Sequence, residues 1–161
     1  MKIATLAIIT RVVREGRQIL LGRKQGTPEI GEGTLNGPGG KMDSSDKTPL
    51  DCVVRETEEE LGIKLDRTRT KKVAVITFYA GGEPDFEVHV YRTSHFTGEP
   101  RETESMVPEW HNVDAIPFDR MLESDAHWLP QCLDGEHFHA NVYYRERAKG
   151  LLDIEFFYFD A

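Results

Sequence analysis

The chain has 161 residues, of which 30% are charged and 39% are hydrophobic, a composition typical of a single soluble domain spanning residues 1–161. Its formal net charge of −8 argues against DNA or RNA as the main partner, because a polyanion is bound by a basic surface. A small nucleotide is compatible with that charge, because a bound metal ion can offset the charge of the phosphates.

The N-terminal part of the chain predicts two strands followed by a loop. Ile3–Val13 and Gln18–Leu21 are rich in β-branched and aliphatic residues, and they flank a turn at Glu15-Gly16. Gly26–Gly40 is dense in glycine and proline, which predicts a loop.

The next segment, Thr48–Leu61, has the clearest helix signals in the sequence. Thr48 can cap the helix, Pro49 suits its first position, and Asp51 completes a capping box. Gly62 can end it.

This helix has two neighbouring faces of different chemistry. One is an apolar stripe that can dock on a core, formed by Leu50, Val53, Val54, Thr57 and Leu61. On the adjacent face, Glu56, Glu59 and Glu60 stand at positions i, i+3 and i+4. Three like charges repel each other, and a divalent cation such as Mg²⁺ or Mn²⁺ would relieve that repulsion. The spacing therefore indicates a metal-dependent enzyme acting on phosphates, with a merely solvated face as the alternative.

The C-terminal half predicts further strands and a second helix. In chain order these are the strands Val73–Tyr79 and Phe86–Tyr91 around a turn at Gly81–Pro84, the acidic loop Arg101–Ser105, the strand Val107–Val113, the helix Phe118–Cys132, and the strands His137–Arg145 and Leu151–Phe159. Pro130 should disturb the end of that helix. Strands combined with two separated helices predict an α+β fold with a mixed sheet and helices on its faces.

The sequence also bears on location. Cys52 and Cys132 are the two cysteines, too few for a disulfide framework, which fits a reducing compartment. We find no cleavage signal and no apolar run long enough to span a bilayer. We therefore expect a cytoplasmic protein with no membrane partner, present as a monomer or a small homo-oligomer.

The helix and the preceding loop resemble the Nudix hydrolases. Their characteristic box joins a Gly-Gly loop to Arg-Glu-x-x-Glu-Glu-x-Gly, which here corresponds to Gly39-Gly40 and Arg55–Gly62. Two features depart from the family pattern. The loop Gly40–Lys47 is one residue longer, and Lys47 stands where the family usually has a glutamate that supports the loop and the box arginine. We expect Asp46 to replace that glutamate as the partner of Arg55.

Short motifs along nearly the whole chain are similar to one subgroup, the MutT-like oxidised purine nucleoside triphosphatases. The motifs are Leu35–Lys41, Pro108–Trp110, Ile116–Phe118, His127–Pro130, Phe138-His139 and Leu151–Asp153. The resemblance implies an α/β/α sandwich. It also implies hydrolysis of 8-oxo-dGTP or 2-oxo-dATP to the monophosphate and pyrophosphate, which sanitises the nucleotide pool.

The same resemblance implies roles for individual residues. The metal ligands are Glu56, Glu59, Glu60 and the carbonyl oxygen of Gly39, with Glu104 as a further candidate because Ser105 occupies the family's exact position. The catalytic residues are Glu56, Glu59 as general base, and Arg55. The substrate-binding residues are Lys24 and Lys41 for the phosphates, Asn36 and Asp125 for the base, and Thr5, Phe78 and Trp128 as pocket lining.

Two pocket positions differ from the subgroup and keep alternatives open. Leu122 replaces a tryptophan that stacks on the base, and Ser124 replaces a second aspartate. A different Nudix activity, on ADP-ribose, a nucleotide sugar or a dinucleotide polyphosphate, therefore remains an alternative. So does a binding module that has lost catalysis, although the survival of all three box glutamates argues against it.

Overall fold

The computed structural model describes residues 1–26 and 33–159, so part of the predicted loop Gly26–Gly40, residues 27–32, lies outside the described residues. The strands are β1 (Lys2–Val13), β2 (Gly16–Lys24), β3 (Leu35–Asn36), β4 (Lys64–Leu65), β5 (Lys71–Ala80), β6 (Glu83–Thr93), β7 (Phe96–Thr97), β8 (Met106–Asn112), β9 (Phe138–Glu146) and β10 (Lys149–Tyr158). The helices are α1 (Pro49–Leu61) and α2 (Asp125–Leu133), with short 3₁₀ turns at Arg67–Arg69 and Phe118–Arg120. The predicted strands are confirmed with small changes at their ends, whereas the short strands β3, β4 and β7 were not predicted.

A mixed sheet organises the molecule, as the sequence predicts. Its strands run in the order β10-β9-β5-β6-β1-β2-β3, and β8 also pairs with β2, which makes eight strands. The pairs β1–β6 and β5–β9 are parallel, and the other pairs of this sheet are antiparallel. β4 and β7 form a separate two-stranded sheet.

The sheet lies between the two helices. Side chains alternate along a strand, so neighbours in β1 point to opposite faces. Leu6 and Ile8 join one apolar core with the buried residues of α2, whereas Ala7 and Ile9 join a second core with those of α1. The α/β/α sandwich is thereby confirmed.

The first helix is bounded by contacts that are local in sequence. The Thr48 hydroxyl accepts a hydrogen bond from the Asp51 N–H, and the Asp51 carboxylate accepts one from the Thr48 N–H, each at 3.2 Å. Gly62 ends the helix at a φ of 73°. The predicted capping box and stop are both confirmed, and they set the rotation of the acidic face of α1.

The predicted helix Phe118–Cys132 is wrong in its first half. A 3₁₀ turn ends at Arg120, the chain is extended at Met121, and α2 begins only at Asp125. A long-range contact fixes this break: the Ser124 N–H donates to the Tyr144 hydroxyl at 2.9 Å, and that hydroxyl donates to Ser124 Oγ at 2.8 Å. Pro130 lies inside α2, and the helix continues past it to Leu133.

Candidate active site

A cavity of about 360 Å³ opens between the start of β1, the loop before α1, the tips of two hairpins and the start of α2. Nine residues of the predicted site line it: Thr5, Lys24, Asn36, Gly39, Lys41, Glu60, Phe78, Asp125 and Trp128. The cavity therefore joins the acidic helix at one end to Asp125 and Trp128 at the other.

The glycine loop is tied to β1 along its length. The Ala7 N–H donates to the Pro38 carbonyl and the Thr5 N–H to the Gly40 carbonyl, each at 2.8 Å. A Cβ atom at Gly39 would overlap the Thr5 carbonyl oxygen, and one at Gly40 would lie 2.6 Å from Glu56 Cδ. Only glycine lets the loop pass between β1 and the acidic face of α1.

Two of the three box glutamates are shielded from water. The Glu60 carboxylate accepts a hydrogen bond from the Gly39 N–H at 2.8 Å, and burial raises the pKa of Glu60 to about 7. Burial also raises the pKa of Glu56, against the opposing effect of Arg55. Glu59 is more exposed, with 58% of its side chain accessible. Sheltered carboxylates on one face favour either protons or a bound cation.

Arg55 connects the loop to this acidic face. Its Nε donates to Asp46 Oδ1 at 3.0 Å and its Nη2 to Oδ2 at 2.7 Å, a two-point pair that confirms Asp46 as its partner. The Asp46 side chain is 2% exposed, and its pKa is lowered by the bonds from Arg55. Arg55 Nη1 also contacts Glu56 at 3.1 Å and Glu59 at 3.2 Å.

The donor set of the acidic face fits a hard divalent cation, although it is not assembled into a metal cage. Among residues 1–26 and 33–159, no group of three acidic, histidine or cysteine side chains is placed to hold a metal ion. Arg55 and the Gly39 N–H instead take up carboxylate oxygens of the three glutamates. All the available ligands are oxygens, the type that Mg²⁺ prefers. A cation would bind to these carboxylate oxygens, either in place of the N–H donors or together with them.

The opposite end of the cavity holds a buried acid. Asp125 is 2% exposed, and its Oδ1 accepts a hydrogen bond from Trp128 Nε1 at 3.1 Å. Its Oδ2 is buried and has no hydrogen-bond partner among the described residues. Burial raises the pKa of Asp125 to about 7, so much of it holds a proton at neutral pH. Nearby, Asn36 accepts from the Gly37 N–H at 2.9 Å through Oδ1, which leaves its amide nitrogen as a donor.

The two lysines of the predicted site and Thr5 line the same cavity. Lys24 lines the cavity, and its charge opposes the rise in the pKa of both Glu60 and Asp125. Lys41 Nζ lies 5.7 Å from the centroid of the Phe86 ring. The Thr5 hydroxyl lies 3.4 Å from Cys52 Sγ of α1 and 3.4 Å from the carbonyl oxygen of Gly40 in the glycine loop, and it can donate to either.

Four residues of the predicted site do not line the cavity: Arg55, Glu56, Glu59 and Glu104. Glu56 adjoins it through Gly40, whereas Glu104 is exposed to solvent. The loop that carries Glu104 is nevertheless fixed beside α1, because the Thr103 hydroxyl donates to the Glu60 carbonyl at 2.8 Å.

Several lining residues were missed in the sequence, among them Tyr144, Phe86, Asp85 and Arg147. Arg147 donates to both carboxylate oxygens of Asp85 at 2.7 Å, and its guanidinium lies 5.2 Å from the Phe86 ring centroid. The pair joins the tip of the β9–β10 hairpin to the β5–β6 hairpin. Sixty-two positions separate the two residues, so no local pattern could find the contact.

Comparison with known proteins agrees with this geometry. The family model of the NUDIX domain matches residues 3–132. The chain belongs to the Nudix hydrolase family. It is therefore an enzyme of the Nudix type, and enzymes of this family generally need a divalent metal ion.

Two relatives and one solved structure show which members of the family this chain is similar to. The chain is 36% identical over 138 residues to an oxidized purine nucleoside triphosphate hydrolase of Danio rerio, covering 85% of this chain and 83% of the relative. It is 33% identical over 137 residues to the protein of the same name from Mus musculus, covering 84% and 85%. The crystal structure of a MutT protein from Bacillus halodurans superposes with a TM-score of 0.76 over 97% of each chain at 21% identity, which supports the fold. Within the described residues, neither helix has the length and apolar character needed to cross a bilayer.

Proposed function

We propose that this Nudix enzyme is a Mg²⁺-dependent nucleoside triphosphate pyrophosphohydrolase that acts on oxidised purine nucleotides such as 8-oxo-dGTP or 2-oxo-dATP. The products are the nucleoside monophosphate and pyrophosphate. The observation that carries the proposal is that a buried, proton-holding Asp125 and the sheltered carboxylate of Glu60 line the same cavity. The names of the vertebrate relatives support the same substrate class.

The proposed base site recognises a purine edge through two polar groups in an apolar wall. Protonated Asp125 donates a hydrogen bond through Oδ2, because Oδ1 already accepts from Trp128. The amide nitrogen of Asn36 supplies a second donor. A wall with few polar groups discriminates well, because an unmatched base leaves those groups without partners.

The proposed phosphate site uses positive charge at the other end of the cavity. Lys24 and Lys41 neutralise and orient the phosphate chain. Glu56, Glu59, Glu60 and the Gly39 carbonyl, with Glu104 as a further ligand, would hold Mg²⁺ or Mn²⁺. When bound, the metal supplies charge neutralisation at the phosphates and increases the acidity of water. Glu59, the most exposed of the box glutamates, would accept the proton of the attacking water.

The remaining parts of the proposal concern setting and partners. The enzyme would act in the cytoplasm on free nucleotides, without a nucleic acid polymer or a membrane as partner, as a monomer or small homo-oligomer. The net charge of −8 supports the absence of a polyanionic partner.

One observation favours a second candidate, a Nudix activity on another nucleoside diphosphate derivative. Leu122 lines the cavity where the subgroup has a stacking tryptophan, and Ser124 is bonded to Tyr144 instead of presenting a carboxylate. Both changes remove contacts to an oxidised base.

A substrate panel tests the two candidates directly. Hydrolysis of 8-oxo-dGTP, 2-oxo-dATP, dGTP and ADP-ribose would be measured with Mg²⁺, and the products identified by chromatography. We expect kcat/KM at least tenfold higher for an oxidised triphosphate than for dGTP, with monophosphate and pyrophosphate released. Turnover of ADP-ribose alone, or equal turnover of both triphosphate types, would reject the proposed substrate. Glu59→Gln should nearly abolish turnover, which links the measured activity to this site.

A further inference from the structure

A second cavity, of about 520 Å³, lies at the other end of the sheet. Its wall includes Thr10 and Thr93 at the ends of the parallel strands β1 and β6, whereas the active-site cavity includes Thr5 and Phe86 at their starts. The two cavities share no lining residue. A ligand here would therefore not occupy the catalytic cavity.

The lining of this second cavity is positively charged in an otherwise acidic protein. Arg17, Arg69, Lys71 and Arg92 line it, and Asp134 is the one acidic residue among the lining residues. The whole chain carries a net charge of −8, so a concentration of four basic side chains is unlike its average surface. Such a concave positive region attracts anions.

Two of the arginines are held in place by α2. Arg92 Nη1 donates to the Cys132 carbonyl at 2.6 Å, and Arg17 Nη1 donates to the Leu133 carbonyl at 2.8 Å. Each bond uses one of the five N–H groups of a guanidinium, so the fork is fixed with donors remaining for a ligand.

The hydrogen bonds to the last carbonyls of α2 account for Arg17 and Arg92, which are only half of the basic lining residues. Arg69 contacts Asp66 at 3.8 Å and His95 at 3.3 Å instead of the helix, and Lys71 stands exposed at the start of β5. Neither is needed to satisfy the carbonyls at the end of α2.

The rest of the lining indicates the chemical class of the ligand. Leu133 is the one aliphatic side chain, and four hydroxyl side chains contribute further hydrogen-bonding groups: Thr10, Thr68, Thr93 and Ser94. Among the described lining residues, His95 is the one aromatic ring and already contacts Arg69, so the lining has no extended apolar wall for a base. We propose that this cavity is a binding site for a small anion with several phosphate charges, of the pyrophosphate class, carried either as free pyrophosphate or as the diphosphate of a nucleotide. This inference does not depend on the proposed catalytic substrate.

The test uses the full chain in EDTA, so that metal-mediated binding in the catalytic cavity does not contribute. Inorganic pyrophosphate and ADP are titrated separately, and backbone amide shifts are followed by NMR alongside calorimetry. We expect the largest shifts in residues 68–71, 92–95 and 133–135. If ADP produces them as strongly as pyrophosphate, the site accepts a nucleotide diphosphate, and if pyrophosphate alone does, the free anion is the ligand.

The adjacent residues Lys71 and Lys72 provide a test variant and its control. Arg69→Met combined with Lys71→Met should weaken pyrophosphate binding at least tenfold. Lys72→Met removes one positive charge next to Lys71, on the opposite sheet face near the Tyr91 ring, and should leave affinity within twofold. Lys71→Met, which removes one charge from the cavity lining, is its matched partner and should weaken binding more than twofold. Shifts confined to residues 37–41, or equal affinity in the double variant and the wild type, would overturn the proposal. The shift map of the wild type decides the matter even if the double variant does not fold.

Discussion

At the scale of single residues, the proposed role of Asp125 in recognition comes with a cost in stability. Its carboxyl is 2% exposed, and burial raises its pKa from an ordinary 3.8 to about 7. An acid with a raised pKa binds more protons in the folded than in the unfolded state between these two values. Its contribution to the free energy of unfolding therefore falls as the pH rises from about 4 to 7, and the full penalty persists above 7.

Replacing this carboxyl with an amide should remove that pH dependence. In Asp125→Asn, Oδ1 can still accept from Trp128 Nε1, but no ionisation occurs. We expect the free energy of unfolding of the variant, relative to wild type, to increase by about 3 kcal/mol between pH 5 and pH 8, nearly all of it below pH 7, at about 1.4 kcal/mol per pH unit. Urea denaturation at the two pH values measures it. Titration of Glu60 is common to both proteins and cancels, so a difference that stays constant with pH would contradict the assigned pKa.

At the scale of elements, the two helices show what the sequence can and cannot predict. The start and end of α1 depend on Thr48, Asp51 and Gly62, all within the segment itself, so local reasoning was sufficient. The start of α2 depends on the bonds between Ser124 and Tyr144, twenty positions away. Periodicity could not reveal that contact, and the predicted helix was therefore extended back to Phe118. The partner of Arg55 was predictable because Asp46 lies only nine positions before it.

The contact between the glycine loop and α1 gives a prediction for that element pair. In Gly40→Ala, the added Cβ would lie 2.6 Å from Glu56 Cδ, so the loop or the carboxylate must move. We expect kcat to fall at least tenfold and the Mg²⁺ concentration for half-maximal activity to rise. Thr48→Ala is the control on the same helix, because it removes the cap at a cost of about 1 kcal/mol in stability without touching Glu56. An unchanged Mg²⁺ requirement in Gly40→Ala would show that this loop does not determine the position of the carboxylates on the acidic face of α1.

At the scale of the whole molecule, the cavity is built by segments that meet only through the sheet. Strand β5 pairs with both β6 and β9, so the tips of the β5–β6 and β9–β10 hairpins come together over one wall. The lining residues near the glycine loop and α1 were predicted from their motif. Phe86, Asp85 and Arg147 could be placed at the cavity only once the register of these strand pairs was known. The sequence therefore predicted the end of the cavity beside the glycine loop and α1 better than this wall.

The pair that joins the two hairpin tips should act on substrate affinity more than on catalysis. Arg147→Gln removes the two-point contact with Asp85, so the two hairpin tips can move relative to each other. The contacts of the acidic face of α1 are unchanged. We expect KM for the nucleotide to rise three- to tenfold with kcat within twofold. Stability should fall by about 1 kcal/mol or less, because the two side chains are 44% and 18% exposed.

Steady-state kinetics of two further variants, a charge exchange and a control, complete this test. Asp85→Arg with Arg147→Asp rebuilds the pair in reverse and should recover most of the lost affinity, because either orientation of the ion pair would hold the two hairpins together. Arg120→Gln breaks a similar two-point pair with Glu109, at 3.2 and 3.0 Å, away from the cavity lining, and should leave KM unchanged. If the exchange leaves KM high, the guanidinium of Arg147 itself is required at the cavity. If Arg120→Gln raises KM equally, the effect belongs to general stability and the hairpin contact has no specific role.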